Sequence, residues 1–474
     1  MESTIIFGSP GTGKTHNLIE QINDEAESGT PKENIYVLSH TNAAAKELIS
    51  RNKDINASTI HSLAYRFGGF DRAQVIQKSE LRKFSENIGV PMKGMVDIMF
   101  ESLEVGDEYM AIINVANNNM ESYEETYNNS NRPGSVGEFK YFYTRYELWK
   151  NSYGFIDFND MISTSKYNKD DEKIEVLFVD EAQDLSLLQW NYIDNLVMHN
   201  PIKKVIVTGD PDQSLFIWGG ADRNGMINFM KKYDSKIIEL SQSHRVPKLV
   251  HELSVKVINR INRRFKKGYY PTENNGQLRY YMAPHLVEFD ESDTLVLYRN
   301  HSLRWEVEEE IINKCLPYKT LNGQPGLFQD KYSNAIRIFN KIKNMSDKDT
   351  ISAYELNTLR SVGTPKAVKF INNADFKSLI KMQLRHAIIL PTTKTRYYET
   401  VDMSAKPNIK LSTIHGAKGM EADRVVILDG MTSRVVSNLE VDPNPEHQVW
   451  YVAVTRSKNK LDIINGYEGL GYVL

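Results

Sequence analysis

A strand, a glycine-rich loop and a helix in immediate succession at the start of the chain restrict its fold more than any other stretch. The apolar, β-prone run Thr4-Ile5-Ile6-Phe7 leads directly into Gly8-Ser9-Pro10-Gly11-Thr12-Gly13-Lys14-Thr15, the pattern G-x-x-x-x-G-K-[ST] in the strand-to-helix setting that it requires. In such a loop the backbone N–H groups turn inward around phosphate oxygens at the positive end of the following helix. Gly8, Gly11 and Gly13 permit the close approach, Lys14 neutralises the β- and γ-phosphates, and Thr15 offers a hydroxyl to Mg²⁺. An ordinary glycine-rich turn is the alternative, and the strand and helix on either side argue against it.

Two further strand ends carry matching chemistry. Val176-Leu177-Phe178-Val179 is a continuous apolar run, as in a buried parallel strand, and ends in Asp180-Glu181. Carboxylates there fall in the crevice where α/β sheets bind ligands: Asp180 suits the Mg²⁺ shell and Glu181 suits a general base that polarises water. Val205-Ile206-Val207-Thr208 runs into Gly209-Asp210-Pro211-Asp212-Gln213-Ser214, placing the Gln213 amide where a γ-phosphate or its water would lie. The set implies hydrolysis as well as binding.

Composition narrows the remainder. With 474 residues, 41% hydrophobic and 25% charged, the chain has material for about three or four compact units and no bias toward disorder. The single cysteine, Cys315, excludes an internal disulfide and any metal site built on paired thiolates. No apolar run has the ~18 residues of a membrane span, so a soluble, cytoplasmic protein without membrane contact is expected. A formal charge of −3 assigns any nucleic-acid binding to local grooves, since the molecule as a whole supplies no basic field.

The order of the remaining motifs resembles that of the UvrD/Rep/PcrA-type helicases of superfamily 1 from Gly8 to the strand after Arg456. Ser39-His40-Thr41-Asn42-Ala43-Ala44-Ala45 and Thr59-Ile60-His61-Ser62-Leu63 resemble two DNA-contacting strings, and Ile156-Asp157-Phe158-Asn159-Asp160-Met161 the element before the acidic strand. Asp180-Glu181-Ala182-Gln183-Asp184 and the run from Gly209 to Ala221, which includes Trp218, are close to the second and third helicase motifs. Gln242-Ser243-His244-Arg245, Leu297-Tyr298-Arg299-Asn300, the run from Leu411 to Glu421 and Tyr451-Val452-Ala453-Val454-Thr455-Arg456 are similar to the later ones. Each short string is weak alone; their order is specific.

The resemblance implies an α/β protein with two RecA-like parallel-sheet motor domains in tandem, each with a mainly helical insertion. The expected boundaries are 1–69 and 146–238 for the first motor domain, with an insertion at 70–145, and 239–344 and 408–474 for the second, with a reduced insertion at 345–407. ATP and Mg²⁺ are the implied cofactors. Lys14, Glu181, Gln213, Arg245 and Arg456 form the expected catalytic set, with both arginines offered by the second domain as fingers on the γ-phosphate. Glu421 is carried over as a nucleotide contact. His40, Thr41, Asn42, His61, Trp218, Arg299 and His415 are the expected DNA contacts; Trp218 stacks on bases or sits in the core.

The implied activity is ATP-dependent unwinding of, or translocation along, single-stranded DNA and its junctions with duplex in the 3′–5′ direction. Such a protein would be a monomer working with replication or repair proteins in a bacterial or phage-infected cell. Stripping of bound proteins without unwinding, a preference for RNA, and a nucleotide-gated binding switch stay open. Only seven residues precede Gly8, leaving no room for the family's upstream glutamine. His16 stands where an arginine is usual and His244 where a tyrosine is, so a clamp of two imidazoles with loose base selectivity is expected. The stretch Arg263-Arg264-Phe265-Lys266-Lys267-Gly268-Tyr269-Tyr270 reads either as a phosphate-tracking surface or as a solvated helix end.

Overall fold

The computed structural model describes residues 1–51, 55–94, 104–130, 134–169, 172–262, 264–290, 292–321, 326–345, 350–466 and 469–474. It divides into two compact units, one of Met1–Asn275 with Ser437–Thr455 and one of Gly276–Val436 with Arg456–Leu474.

The first unit is built on strands β1 (Glu2–Gly8), β2 (Ile35–Ser39), β3 (Asn56–Thr59), β4 (Val176–Asp180), β5 (Lys204–Gly209) and β6 (Lys236–Leu240), in the order β3-β2-β4-β5-β1-β6 with every pairing parallel. The central strands are apolar at consecutive positions because both faces are covered. Ile5, Phe7, Leu38, Leu177, Val179, Val205 and Val207 pack on one side, while Ile6, Val37, Phe178 and Ile206 pack on the other. This alternation is the two-residue period of a strand buried twice over. Since all strands run the same way and β4, β5 and β1 are neighbours, their carboxyl ends bring the glycine-rich loop, Asp180-Glu181 and the turn after Gly209 to one edge.

Between β3 and β4 the helices Lys78–Ile88, Val105–Asn119, Tyr123–Asn128 and Val136–Tyr153 enclose a core of their own, made by Phe84, Tyr109, Ile113, Phe139, Phe142 and Tyr146. The helix Val136–Tyr153 starts with a capping box between Ser135 and Glu138 and stops at Gly154 in the left-handed conformation.

The second unit repeats the plan with β7 (Gln277–Tyr281), β8 (Thr294–Tyr298), β9 (Tyr318–Thr320), β10 (Ile409–Thr413), β11 (Ala422–Leu428) and β12 (Ser457–Ile464), all parallel in the order β7-β12-β11-β8-β10-β9. The fully buried Arg424 donates from Nε to Asp462 Oδ2 at 2.7 Å, and Arg279 Nε meets the other oxygen at 2.8 Å, so one carboxylate links β7, β11 and β12. Helices Lys331–Lys343, Ala353–Val362, Pro365–Asn372 and Phe376–Ile380 share a core with this sheet. The α/β class with two parallel sheets in succession, each accompanied by helical insertions, is as expected.

Two divisions differ from the reading of the sequence, and one of them is that Ser437–Thr455, expected in the second domain, belongs to the first unit. Residues 239–275 group with the first unit, and the second begins at Gly276 instead of 239. The cause is pairing: β6 joins the first sheet beside β1, and the helix Lys248–Ile258 that follows packs against Asn444–Val454, which also belongs to the first unit.

Candidate nucleotide pocket and nucleic-acid face

The glycine-rich loop adopts the cradle that its sequence calls for. Gly8 ends β1, where a Cβ would stand 2.4 Å from Lys14 Cγ, and Gly11 has φ +75° with its α-carbon turned to Arg245, where a Cβ would meet that side chain's Cβ at 2.6 Å. Larger residues at either position would fill the space that the loop encloses. The helix Lys14–Glu27 begins immediately after Gly13, with its first N–H groups at the loop. Lys14 folds back so that Nζ donates to the Gly8 carbonyl at 2.8 Å. Burial pushes its ammonium below the usual lysine pKa, and the carboxylates of Glu181, Asp210 and Asp180 partly oppose that shift. Three acids from two strand ends thus lie in the field of one cation.

Asp180 closes β4 and is buried, and Glu181 follows in the left-handed region at φ 51°, ψ 40°. Gln183 Nε2 donates to Glu181 Oε2 and Gln183 Oε1 accepts the Asp210 backbone N–H at 3.0 Å, so one amide ties the two acidic turns together. Gln213 is buried, and its Nε2 donates to Asp210 Oδ2 at 2.7 Å.

Arg245 reaches the loop from the same unit, correcting its expected place on the second domain. Ser243 Oγ donates to the Pro10 carbonyl and His244 N–H to the Gly11 carbonyl, both at 2.9 Å, and these two bonds seat Arg245 beside Gly11. The His244 side chain is exposed, as is His16, whose Nε2 lies 3.3 Å from Glu20.

In the stretch after Ile261, Lys266 and Tyr270 are exposed while Arg264 and Lys267 turn to buried acids; Arg263 lies outside the described residues. The side chain of Lys267 is 1% exposed, with Nζ 2.7 Å from Asp210 Oδ1 and also bonded to Asp212. Arg264 holds Asp212 with Nε at 3.2 Å and Nη2 at 3.0 Å. Phe265 stacks on Phe7 with ring centroids 4.3 Å apart. Burial alone would raise the Asp210 pKa, but Lys267 and Lys14 hold it below the usual range; burial would likewise lower Lys267, and the two aspartates hold it above.

A second cluster forms an aromatic face. The His40 ring stacks on Phe216 with centroids 5.3 Å apart, and Phe216 meets Trp218 edge-on at 6.2 Å. Trp218 is 38% exposed, so it is a surface residue and not a core one. His61 meets the exposed Phe158 edge-on at 5.6 Å; burial and the nearby His40 push its pKa down to about 4. Thr41 is exposed and its Oγ1 accepts the Ala44 N–H at 3.1 Å; the side chain of Asn42 lies outside the described residues. Phe216 is the member of this face that sequence reading passed over, although it sits between two residues already singled out.

The remaining candidates belong to the second unit. Arg299 follows β8, and His415, 3% exposed, follows the adjacent β10; the Ile414 N–H bonds to the Tyr298 carbonyl at 3.0 Å, which puts both residues at one edge of that sheet. Arg456 is 3% exposed and directs Nη1 toward the Met420 carbonyl at 3.4 Å, next to Glu421, which pairs with Lys458 at 2.6 Å. Among the described residues no group of three His, Cys, Asp or Glu has the arrangement of a metal site, and no helix is long and apolar enough to cross a membrane.

Residues 1–234 match the family model described as UvrD/REP helicase N-terminal domain. The ATP-dependent DNA helicase PcrA of Staphylococcus aureus is 25% identical over 436 residues, covering 80% of this chain and 57% of that protein. PcrA of Leuconostoc citreum is 25% identical over 421 residues, covering 76% and 52%, and that of Staphylococcus epidermidis 23% over 436, covering 80% and 57%. The chain therefore spans little more than half the length of these curated relatives. A solved structure titled "The structure of PRRSV helicase" aligns with all of this chain and 55% of that one at a TM-score of 0.36 and 9% identity, too loose a likeness to inform the site.

Proposed function

We propose that the chain, whose residues 1–234 match the UvrD/REP helicase N-terminal domain, is an ATP-dependent DNA helicase or translocase working 3′–5′ on single-stranded DNA. The observation that carries this reading is the convergence on one sheet edge of the loop lysine, Lys14, with the carboxylates of Asp180, Glu181 and Asp210.

In this reading the triphosphate lies along the loop from Gly8 to Thr15. Thr15 and Asp180 would hold Mg²⁺, which would supply positive charge to the β- and γ-phosphates. The space kept open by Gly8 and Gly11 and the buried Asp180 in the field of Lys14, the neighbour of Thr15, fit that assignment. Glu181 takes a proton from water as the water oxygen bonds to the γ-phosphorus, the bond to the β-bridging oxygen breaks, and ADP and phosphate depart. Gln213 orients the water, and Arg245 and Arg456 stabilise charge spreading over the γ-oxygens. His16, His244 and Glu421 complete the nucleotide contacts.

The strand is tracked by the His40, Phe216 and Trp218 row with Thr41, Asn42, His61, Arg299 and His415. Stacking on rings tolerates any base. The test is unwinding of duplexes with a 3′ or a 5′ tail, with Lys14→Ala as the inactive control. Unwinding from the 3′ tail alone is expected; unwinding only from the 5′ tail overturns the polarity. ATPase that ignores single-stranded DNA overturns the motor reading in favour of a nucleotide-gated switch.

A further inference from the structure

We propose that Lys267 is a positioning residue for hydrolysis: from the strap 264–270 it fixes the Asp210 carboxylate, which in turn fixes the orientation of the Gln213 amide. The inference rests on the reading of Gln213 as the group that orients the attacking water.

The strap crosses the carboxyl ends of the strands that carry the pocket. At its start Arg264 grips Asp212 with two nitrogens, and Phe265 packs on the last ring before the glycine-rich loop. Further along, the Gly268 N–H bonds to Glu239 at 3.2 Å, the Tyr270 N–H to the Ser241 carbonyl at 2.8 Å, and the Ser243 N–H to the Tyr270 carbonyl at 2.9 Å. One short segment therefore touches the turn with Gln213, the end of β1 and the residues leading to Arg245.

Lys267 is its centre. Two carboxylates in one buried turn repel each other, and a lone buried acid would take up a proton to escape the cost of its charge. Placed between Asp210 and Asp212, the ammonium pairs with both and holds the Asp210 carboxylate in its charged form. Asp210 Oδ1 accepts Lys267 Nζ and the Asp212 N–H at 3.1 Å, while Oδ2 accepts Gln213 Nε2. An ionised carboxylate can only accept, so the amide must present nitrogen to it and direct its carbonyl oxygen elsewhere. A carbonyl accepts from water and is repelled by phosphate oxygens. A neutral Asp210 could donate instead, and the amide would lose its preferred orientation. Lys267 thus selects which end of Gln213 serves the reaction while touching neither nucleotide nor water.

The test is steady-state ATPase in the presence of single-stranded DNA, with binding of a fluorescent ATP analogue measured in parallel. Lys267→Met should lower kcat by about 100-fold, the scale on which positioned proton-transfer groups act, with analogue affinity within about twofold of wild type on the same scale. Because Lys267→Met leaves the buried Asp210 without the cation bonded to it, while Asp212 keeps Arg264, it is paired with Asp210→Asn/Lys267→Met, which removes both charges of that pair. That variant should recover thermal stability but not kcat, since an asparagine amide accepts either orientation of Gln213. Recovery of kcat together with stability would reduce Lys267 to a structural ion pair and overturn the proposal, as would a folded Lys267→Met with near-normal kcat. A wild-type protein that does not hydrolyse ATP would instead defeat the reading of the pocket, a failure visible before any variant is made.

Discussion

Gln448 Nε2 donates to the carbonyl of Pro211 at 2.7 Å, joining the helix Asn444–Val454 to the turn that carries Gln213. The bond ties together two segments of the first unit that are more than two hundred residues apart in the chain. Gln448→Ala should cost about 1 kcal/mol of stability, as for a hydrogen bond lost at a partly buried site. Chemical denaturation of the variant checks this, and a midpoint equal to wild type would show that the bond holds nothing in place.

Glu181→Gln separates binding from chemistry. The amide keeps the shape and hydrogen-bonding capacity beside Gln183 but cannot take a proton. Affinity for an ATP analogue should stay close to wild type while turnover falls by about 10² to 10⁴. Retained turnover would move the base elsewhere.

Trp218→Ala tests the aromatic face. The ring is partly exposed and meets Phe216 edge-on, so the melting temperature should change little. Single-strand affinity at fixed salt should weaken by about 1 to 3 kcal/mol, the contribution of one stacked base. An unchanged dissociation constant would take Trp218 out of the track.

His61 gives a pH dependence with a definite sign. Its folded pKa, about 4, lies below the unfolded value near 6.5. Between these values the unfolded chain takes up a proton that the folded one refuses, so stability falls as pH drops through that window. His61→Gln should flatten the decline measured by denaturation from pH 7 to 4.5. The same shift leaves the ring neutral at neutral pH, so single-strand affinity should show no His61-dependent titration near 6.5; a titration that vanishes in His61→Gln would show the ring charging on the surface.

Arg456→Ala should reduce turnover by about 10³ if its guanidinium serves the γ-phosphate. The side chain is buried, so stability is measured alongside, and a lost turnover that returns on cooling would mark unfolding rather than missing charge.

What was legible in the sequence is local. The loop from Gly8 to Thr15, the Asp180-Glu181 pair and the turn after Gly209 each read correctly as strand ends, because a buried parallel strand is apolar at consecutive positions and its end is where polarity returns. Lys267 was not legible in this way. Its partners lie more than fifty residues upstream, and a run of arginines and lysines has the same composition whether it faces solvent or neutralises a buried turn. A usable signal existed on the other side: Asp210 and Asp212, two acids two residues apart at the end of a buried strand, require a cation from somewhere. Arg245 was assigned to the wrong unit for a related reason, since nothing local in Lys236–Leu240 says which sheet it will join.

The left-handed backbone at Glu181 has an evolutionary reading. A residue with a Cβ pays a conformational penalty there that glycine or asparagine would largely avoid. Selection for sturdiness alone would drift this position toward those residues, erasing the carboxylate. A glutamate standing in a posture it disfavours has its carboxylate aimed by the backbone, so Glu181→Gly would firm the turn while removing the acid.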